Sequence, residues 1–595
     1  MIVPMRKVAV IVQDKDAQLA VERLRGLGVL HVEHQQVPQG RDISALRDDI
    51  ALVEEAVKIL SSEEFRGQGQ GPGQALSEWR FVARHILDVQ NRIVQLQEYS
   101  RRLMNTLSEW EGWGDFDPAA IQELARKGVY LRLYQISLRE INKLPAEVIL
   151  EKISERRGMV NCAVISRRLI DIAFKEIVPP KVGLSKMRSR LSEDSRVIVA
   201  LKEDLRQHYS GYKADFIRLK KSWEKELEFY EALKGMGQVG QVSYLVGYIP
   251  EDAEALLVKT AQEEKLGLQT SEPSDEDRVP TLIRNPRWVS IIAPVFRFVE
   301  IIPGYHELDI SLWFLVFFSV FFGMLIGDAG YGLVFFLLTL LAQRRWGKRL
   351  GNKAVFILFY LLSSCAMIWG VFSGTFFGQD WLPQSVKPLI PALRNDKNVQ
   401  ELCFFLGAVH LSIAHLWRSL IKFPALSALA DLGWVFILWG AFWLANTLIL
   451  GAAFSSFGKW FFIAGPLLGI LFTSPRKNIL KGIGLGLGAF ALSAVNSFTD
   501  VVSYIRLFAV GLATVAIADA FNAMAMSVGY GNVLTGVLTA VILILGHLLN
   551  IMLGPLAVLV HGVRLNVLEF CNHVDIKWSG FAYRPLEKDK SAVMS

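Results

Sequence analysis

The chain has 595 residues, of which 52% are hydrophobic and 20% charged, with a formal net charge of +7. It is too long and too apolar for one ordinary soluble domain. Residues 305–595 carry 20 Lys/Arg and 13 Asp/Glu, whereas residues 1–304 carry 44 of each. A charge-rich neutral half joined to a charge-poor basic half describes a soluble part followed by a membrane part, and it rules out a secreted, collagenous or disordered protein. Nucleic-acid binding is disfavoured, because the soluble half has no net charge with which to attract phosphates. Cys162, Cys365, Cys403 and Cys571 are scattered without a C-x-x-C pair and read as small buried hydrophobes, not as a disulfide framework or a zinc site. The apolar stretch Val8–Val12 is too short for the core of a signal peptide, so the soluble half is expected in the cytoplasm.

In chain order, Lys7 to His34 reads as a strand, a polar helix through Leu19, Ala20, Leu24 and Leu27, and a second strand. Apolar residues then recur every three or four positions, amid dense charge, from Ile43 to Leu60 and from Leu76 to Trp110. These are two long amphipathic helices with the turn Gly67–Gly73 between them. Strand candidates follow at Val129–Ile136 and Asn161–Ser166, then a charged helical stretch from Lys186 to Leu233, then a strand from Gln241 that stops at Pro250 and enters a helix. The expected fold is therefore α+β, two α/β lobes joined by long coiled helices, within a soluble part of about 1–304. Its proximal lobe covers about 1–40 and 238–304, its coiled helices about 42–112 and 186–236, and its distal lobe about 115–185. An ordinary α+β domain with long helices is the alternative. The half contains neither a phosphate-binding Gly-x-x-x-x-Gly-Lys-Ser/Thr loop nor a Gly-x-Gly-x-x-Gly after a strand, so no cofactor and no nucleotide hydrolysis are expected of it.

Residues 305–595 are expected to form an all-α polytopic membrane domain. Runs near the roughly 20 residues needed to span about 30 Å of hydrocarbon lie at about 310–327, 329–344, 353–376, 400–419, 431–451, 459–474, 482–527 and 533–572. The first two are separated only by Gly327–Gly332, which permits a tight reversal or a single kinked helix. Eight spans with both ends cytoplasmic leave 14 basic residues inside: Arg344, Arg345, Lys348, Arg349, Lys353, Arg418, Lys422, Arg476, Lys477, Lys481, Lys577, Arg584, Lys588 and Lys590. Four remain outside (Lys387, Arg394, Lys397, Lys459), so this topology obeys the positive-inside rule. The last two spans, at forty-odd residues, would run roughly 60 to 70 Å, and they must tilt, break or emerge from the bilayer.

Each of those two spans carries one arginine, Arg506 and Arg564. A guanidinium near mid-bilayer costs roughly 2.5 to 3.5 kcal/mol on insertion scales and cannot lose its proton. Either it works there, or it snorkels to an interface, or it is a structural tie: Arg506 to Asp500 or Asp519, and Arg564 near the cytoplasmic end, five residues before Glu569. Asn496, Ser497, Ser503, Tyr504, His547, Asn550, His561 and Asn566 share the same two spans, and a file of polar groups suggests aqueous access for a small ion. His410 and His415 lie five apart, a spacing that disfavours a shared metal.

Six blocks carry a family resemblance: Pro280–Pro286, Tyr305–Ile310, Phe321–Gly332, Gly374–Gly378, Ser503–Ala509 and His561–Phe570. Across nearly its whole length the chain resembles the membrane-embedded subunit of vacuolar/archaeal-type rotary ATPases, called subunit a in vacuolar enzymes and subunit I in bacterial and archaeal ones. The resemblance implies a cytoplasmic rod followed by a membrane domain, with Arg506 as the family's essential arginine and Arg564 as its second. It implies a non-catalytic stator that carries H+ or Na+ through two half-channels, with ATP chemistry on other subunits. The partners implied are the c or K ring of proteolipid subunits, E/G-type peripheral-stalk subunits, the d/C-type rotor collar, indirectly the A and B catalytic head, and the lipid bilayer. Two positions depart from eukaryotic members: Thr514 stands where they have a histidine eight residues after the arginine, and Gly554 where they have an acid ten residues before the second. The half-channel chemistry differs accordingly, and half-channel roles are assigned to Asp500, Asp519, His561 and Glu569. The chain's shortness points to a bacterial or archaeal cell membrane. A secondary transporter is the alternative, which a repeated architecture would favour and the long soluble half disfavours.

Overall fold

The computed structural model describes residues 1–65, 78–141, 148–156, 158–170, 172–350, 353–378, 388–473 and 479–588. The expected turn Gly67–Gly73 and the basic residues Lys387, Arg476, Lys477 and Lys590 lie outside them. Two compact units emerge. One comprises Met1–Val8, Tyr248–Lys259 and Thr270–Arg584, the other Ala9–Gly247, Thr260–Gln269 and the residues from Pro585 on.

The chain starts with β1 (Met5–Gln13), α1 (Ala17–Leu27) and β2 (His31–Glu33). The long helices α2 (Arg41–Ser61) and α3 (Trp79–Trp110) follow, then α4 (Pro118–Arg126). A small antiparallel sheet is built from β3 (Tyr130–Ser137), β4 (Ile149–Arg156), β5 (Met159–Ser166) and β6 (Glu176–Ile177), in the order β4-β5-β3-β6. Its register sets Leu133 opposite Ala163 and Tyr134 opposite Cys162. Because side chains alternate across a strand, Leu133 and Ala163 meet Trp110, Trp113 and Leu184 on one face, while Tyr134, Ile136, Val160 and Cys162 form a second cluster on the other. The strands β3 and β5 are among the expected ones but β4 is not, because its sequence ILEKISER puts charges on both faces and shows no apolar alternation.

The chain returns through α5 (Leu184–Asp204), a π-helical turn at Leu205–Tyr209 and α6 (Tyr212–Lys234). Val53, Ala56 and Leu60 of α2 pack with Val82, Ile86, Val89 and Ile93 of α3 and with Leu205 and Phe216. These residues recur at three and four, so each helix turns one apolar stripe to its neighbours. Then come β7 (Gly237–Val239), β8 (Val242–Pro250), α7 (Glu254–Glu263) and β9 (Gly267–Ser271); strands β2, β8, β1 and β9 lie side by side in that order, with β7 against β8.

The helical part begins with α8 (Ala293–Val299), α9 (Ser311–Ile326) and α10 (Ala329–Leu350). The last two are bent by 119° at Gly327–Asp328, where Gly327 has φ +70°. A side chain is strained there, which is why glycine ends α9. The reversal is held by Asp328, fully buried, whose Oδ1 accepts from the N–H of Gly330 (2.7 Å) and Tyr331 (3.1 Å) and whose Oδ2 accepts from Gly378 N–H (3.2 Å). Thr375 Oγ1 donates to Gly327 O at 2.5 Å, so two of the glycine-rich blocks meet at one corner.

Helices α11 (Lys353–Ser373), α12 (Asp396–Lys422), α13 (Ala428–Leu450), α14 (Ser456–Thr473), α15 (Ile479–Ser503), α16 (Ile505–Val528) and α17 (Val533–Ala557) follow. The last continues through π-helical Val558–Gly562 and Leu565–Phe570 into α18 (Cys571–Val574). Among the described residues, five helices are long and apolar enough to cross a membrane, or six with the bent pair counted as one span. Of the eight expected spans, the first two are that bent pair and the sixth is α14, whose apolar stretch, Ser456–Phe472, is shorter than the five helices long enough to cross alone. The two longest stretches are Phe490–Val528, which contains the Tyr504 break between α15 and α16, and Val533–Val574, of 39 and 42 residues.

Between apolar helices in lipid, close packing replaces hydrophobic burial as the attractive force. A Cβ on Gly332 would meet Met367 N at 2.7 Å, and one on Gly323 would meet Cys365 O at 2.8 Å. Small residues thus let α9 and α10 approach the backbone of α11. Phe314, Phe321, Leu325, Phe404, Leu411, Tyr504, Leu507 and Phe570 fill the common core.

Candidate functional site

The last long helices converge on Arg506. The chain leaves regular helix at Tyr504, and Arg506 follows in the first turn of α16. Its Nε donates to Ser503 O at 3.0 Å, occupying a carbonyl at the end of α15. Its Nη2 makes an ion pair with Glu569 Oε1, and Ser503 Oγ donates to the same oxygen at 3.0 Å. Arg564 Nε stands 3.7 Å from that oxygen. The Glu569 side chain is only 6% exposed, Arg506 22% and Arg564 55%, so one buried carboxylate serves two guanidiniums of unequal depth. Glu569 lies on the π-helical turn Leu565–Phe570 of the last helix, which Arg564 caps, and an extra residue per turn re-aims side chains there. Sequence analysis had offered Asp500 or Asp519 as the partner of Arg506; the partner is Glu569.

Asp500 pairs instead with His573 Nε2 at 3.1 Å. It lines a cavity of about 360 Å³ with Asn496, Ser497 and Asn572 among its walls. Asp519 sits against Gly378 beside Asn522. Asn522 Nδ2 donates to Phe377 O at 2.6 Å, and it borders a second cavity of about 450 Å³ that includes His547 and Tyr530. His547 Nδ1 lies 2.7 Å from Tyr331 OH. His561 is half-buried, three positions before Arg564. The four residues expected in the half-channels are therefore not one cluster. Glu569 joins the arginines, Asp500 belongs to the first cavity, Asp519 is beside a residue of the second, and His561 stands near Arg564 in sequence. Asp500 precedes Arg506 by six residues and Asn522 follows it by sixteen, about 9 Å and 24 Å of helix rise on either side.

One of the two departures from the eukaryotic pattern has a clear structural role. Thr514 Oγ1 lies within hydrogen-bonding distance of Leu325 O (3.1 Å) and Val510 O (2.8 Å), so a hydroxyl tied to backbone stands where a titratable ring would be. A Cβ on Gly554 would meet a single atom within 4 Å, Ile326 Cδ1 at 2.9 Å, the movable end of a side chain. His573, His415 and Asp431 were not singled out as site residues; no local pattern joins them, because they come from separate helices.

No family model matches the chain. It is 31% identical to the V-type ATP synthase subunit I 1 of Treponema pallidum and 28% identical to the V-type ATP synthase subunit I of Borreliella burgdorferi, in each case over 99% of this chain and all of the relative. The A-type ATP synthase subunit I of Methanocaldococcus jannaschii is 27% identical over 66% of this chain and 62% of its own. Among solved structures, the cytoplasmic N-terminal domain of subunit I, homolog of subunit a, of V-ATPase matches 45% of this chain and all of its own at 16% identity, with a TM-score of 0.24. Full-length likeness at 31% identity to the Treponema pallidum relative, together with apolar helices long enough to cross a membrane, makes this chain a member of the V/A-type ATP synthase subunit I family, a membrane subunit of a rotary ATPase.

Proposed function

We propose that this chain is the ion-carrying stator of its complex, with ATP hydrolysis or synthesis on other subunits. The observation that carries this reading is Arg506. It is a permanently charged group anchored at a helix break by Ser503 O and Glu569, part-exposed, with a cavity on each side of it along the helix. Of its five N–H donors, those on Nε and Nη2 are engaged, which leaves donors for an incoming carboxylate.

A ring subunit's carboxylate is neutral while it faces lipid. Beside Arg506 its ionised form is favoured, so it releases its ion to one half-channel and takes up another from the opposite one. The guanidinium also bars a direct leak, because a cation does not readily pass a fixed positive charge. Exposed apolar residues Val537, Val541, Ile544, Leu548 and Met552 form a stripe on α17 that suits the ring or lipid. The soluble half links to the peripheral stalk and the rotor collar. This reading puts both ends of the chain in the cytoplasm, by counting the bent pair as two crossings and α14 as one.

The test is ATP-driven ion uptake into vesicles holding the assembled complex. Arg506→Gln is expected to abolish uptake while assembly persists; undiminished uptake would make Arg506 a structural tie.

A further inference from the structure

A polar line runs from Asp500 through His573, whose Nδ1 lies 2.8 Å from His415 Nε2, to Asp431, 3.5 Å from His415 Nδ1. His410, five residues before His415 on α12, is fully buried and bonds elsewhere. Its ring is stacked between Phe317 of α9, at 3.8 Å between centroids, and Phe570 of the last helix, at 4.4 Å. Its Nδ1 lies 2.8 Å from the hydroxyl of Tyr504, which is fully buried as well. Residues three apart on a helix share a face, so Gly407 stands beside His410. It makes room for the tyrosine, because a Cβ there would meet Tyr504 Cδ2 at 2.7 Å. Gly407 and His410 together form a seat on α12 for the residue at which α15 gives way to α16.

We infer, on the stator reading above, that His410 is a positioning residue for Arg506 and Glu569, which it braces without carrying an ion itself. The turn at Tyr504 is tight: Tyr504 N–H donates to Val501 O (3.3 Å) and Leu507 N–H to Tyr504 O (3.0 Å), each across three residues. Arg506 follows Tyr504 by two positions, which at about 100° per residue directs the two side chains to nearly opposite sides of the helix. With the tyrosine held in its seat, the guanidinium is held away from α12. Phe570, stacked on the same imidazole, is the chain neighbour of Glu569, the partner of Arg506. One ring therefore supports both members of the ion pair, Arg506 through Tyr504 and Glu569 through Phe570.

Packing alone does not account for a histidine here. A phenylalanine would fill the same stack without the cost of His410 Nε2, which is buried and has no hydrogen-bond partner among the described residues. What the polar ring adds is the bond to the Tyr504 hydroxyl. Without that bond the turn is free to shift and Arg506 shifts with it. A group misplaced by about 1 Å can lose up to about a hundredfold in rate, and a displaced guanidinium also bars the leak less well.

The assembled complex in vesicles provides the test, read as ions taken up per ATP hydrolysed, with acidification followed by a pH-sensitive dye and sodium by radioactive Na+. Tyr504→Phe and His410→Phe keep the stacked rings and remove the bond, and each is expected to lower that ratio at least about fivefold while assembly and ATP hydrolysis persist. The double variant should fall no further than either single one, since all three lack the same bond. His410→Asn loses the ring but sets an amide near the place of Nδ1, so its ratio should exceed that of His410→Phe. A residue that only fills space would rank the two the other way. A wild-type ratio in both phenylalanine variants, additive losses in the double variant, or a higher ratio in His410→Phe than in His410→Asn would overturn the positioning role. Arg506→Gln, run alongside, separates the two readings. If it abolishes uptake while the phenylalanine variants are unimpaired, the positioning role alone fails; if it is itself unimpaired, the stator reading fails and the positioning role with it.

Discussion

An arginine inside a membrane helix cannot discharge, so its partner decides what it can do. Glu569 is that partner for Arg506, and it stands close to Arg564 as well. Removing one member of a buried pair leaves the other uncompensated, at a cost of about 3–5 kcal/mol for full burial, and toward the low end here because Arg506 is partly exposed. Glu569→Gln should therefore lower the temperature at which the purified complex falls apart, and adding Arg506→Gln should recover much of the loss. A loss in the double variant equal to the sum of the two single losses would show that the pair contributes no coupling. The arginines and Glu569 were legible in the sequence because ionisable residues stand out against an apolar helix. Their convergence on one oxygen was not, and neither was the contact between His415 and His573, which lie 158 positions apart.

At the scale of the element, the informative places are where regular helix fails: the bend at Gly327–Asp328, the break at Tyr504 and the π-helical turns at Val558–Phe570. Irregular backbone at such depth persists only where other groups satisfy it. Asp328 does so at the bend, accepting three backbone N–H groups with no solvent to replace it. Asp328→Ala strands those donors at roughly 1–3 kcal/mol each, so the variant should fail to accumulate in the membrane, as read by immunoblot of membrane fractions. Wild-type levels would mean that the glycines alone hold the reversal. The glycine-rich block announced a turn there. It did not announce that Thr375 and Gly378, beyond the next two helices, would complete it, because that contact depends on how α11 returns.

For the whole molecule the open quantity is the parity of crossings. Eight crossings put the α12–α13 connection in the cytoplasm and the α13–α14 connection outside, whereas counting the bent pair as one span exchanges them. Cysteines introduced at exposed Ala425 and Ala452 should react with a membrane-impermeant maleimide from opposite sides, Ala425→Cys from the cytoplasm. The native cysteines are buried or half-buried and make a quiet background. Reaction of Ala425→Cys from outside would reverse the topology and assign the bent pair a single crossing.

Composition and periodicity by themselves determined the division into a charged soluble half and an apolar half, the long amphipathic helices, and the two arginines that a membrane does not tolerate idly. Those are local properties: charge per segment, apolar spacing along one helix, one costly residue in one span. Only the tertiary structure decided that Glu569 answers Arg506, that Asp500 belongs to a histidine line reaching Asp431, and that the first apolar pair bends by 119°. Each of these is a contact between helices distant in the chain, set by packing among several neighbours at once, and no spacing within one segment encodes it.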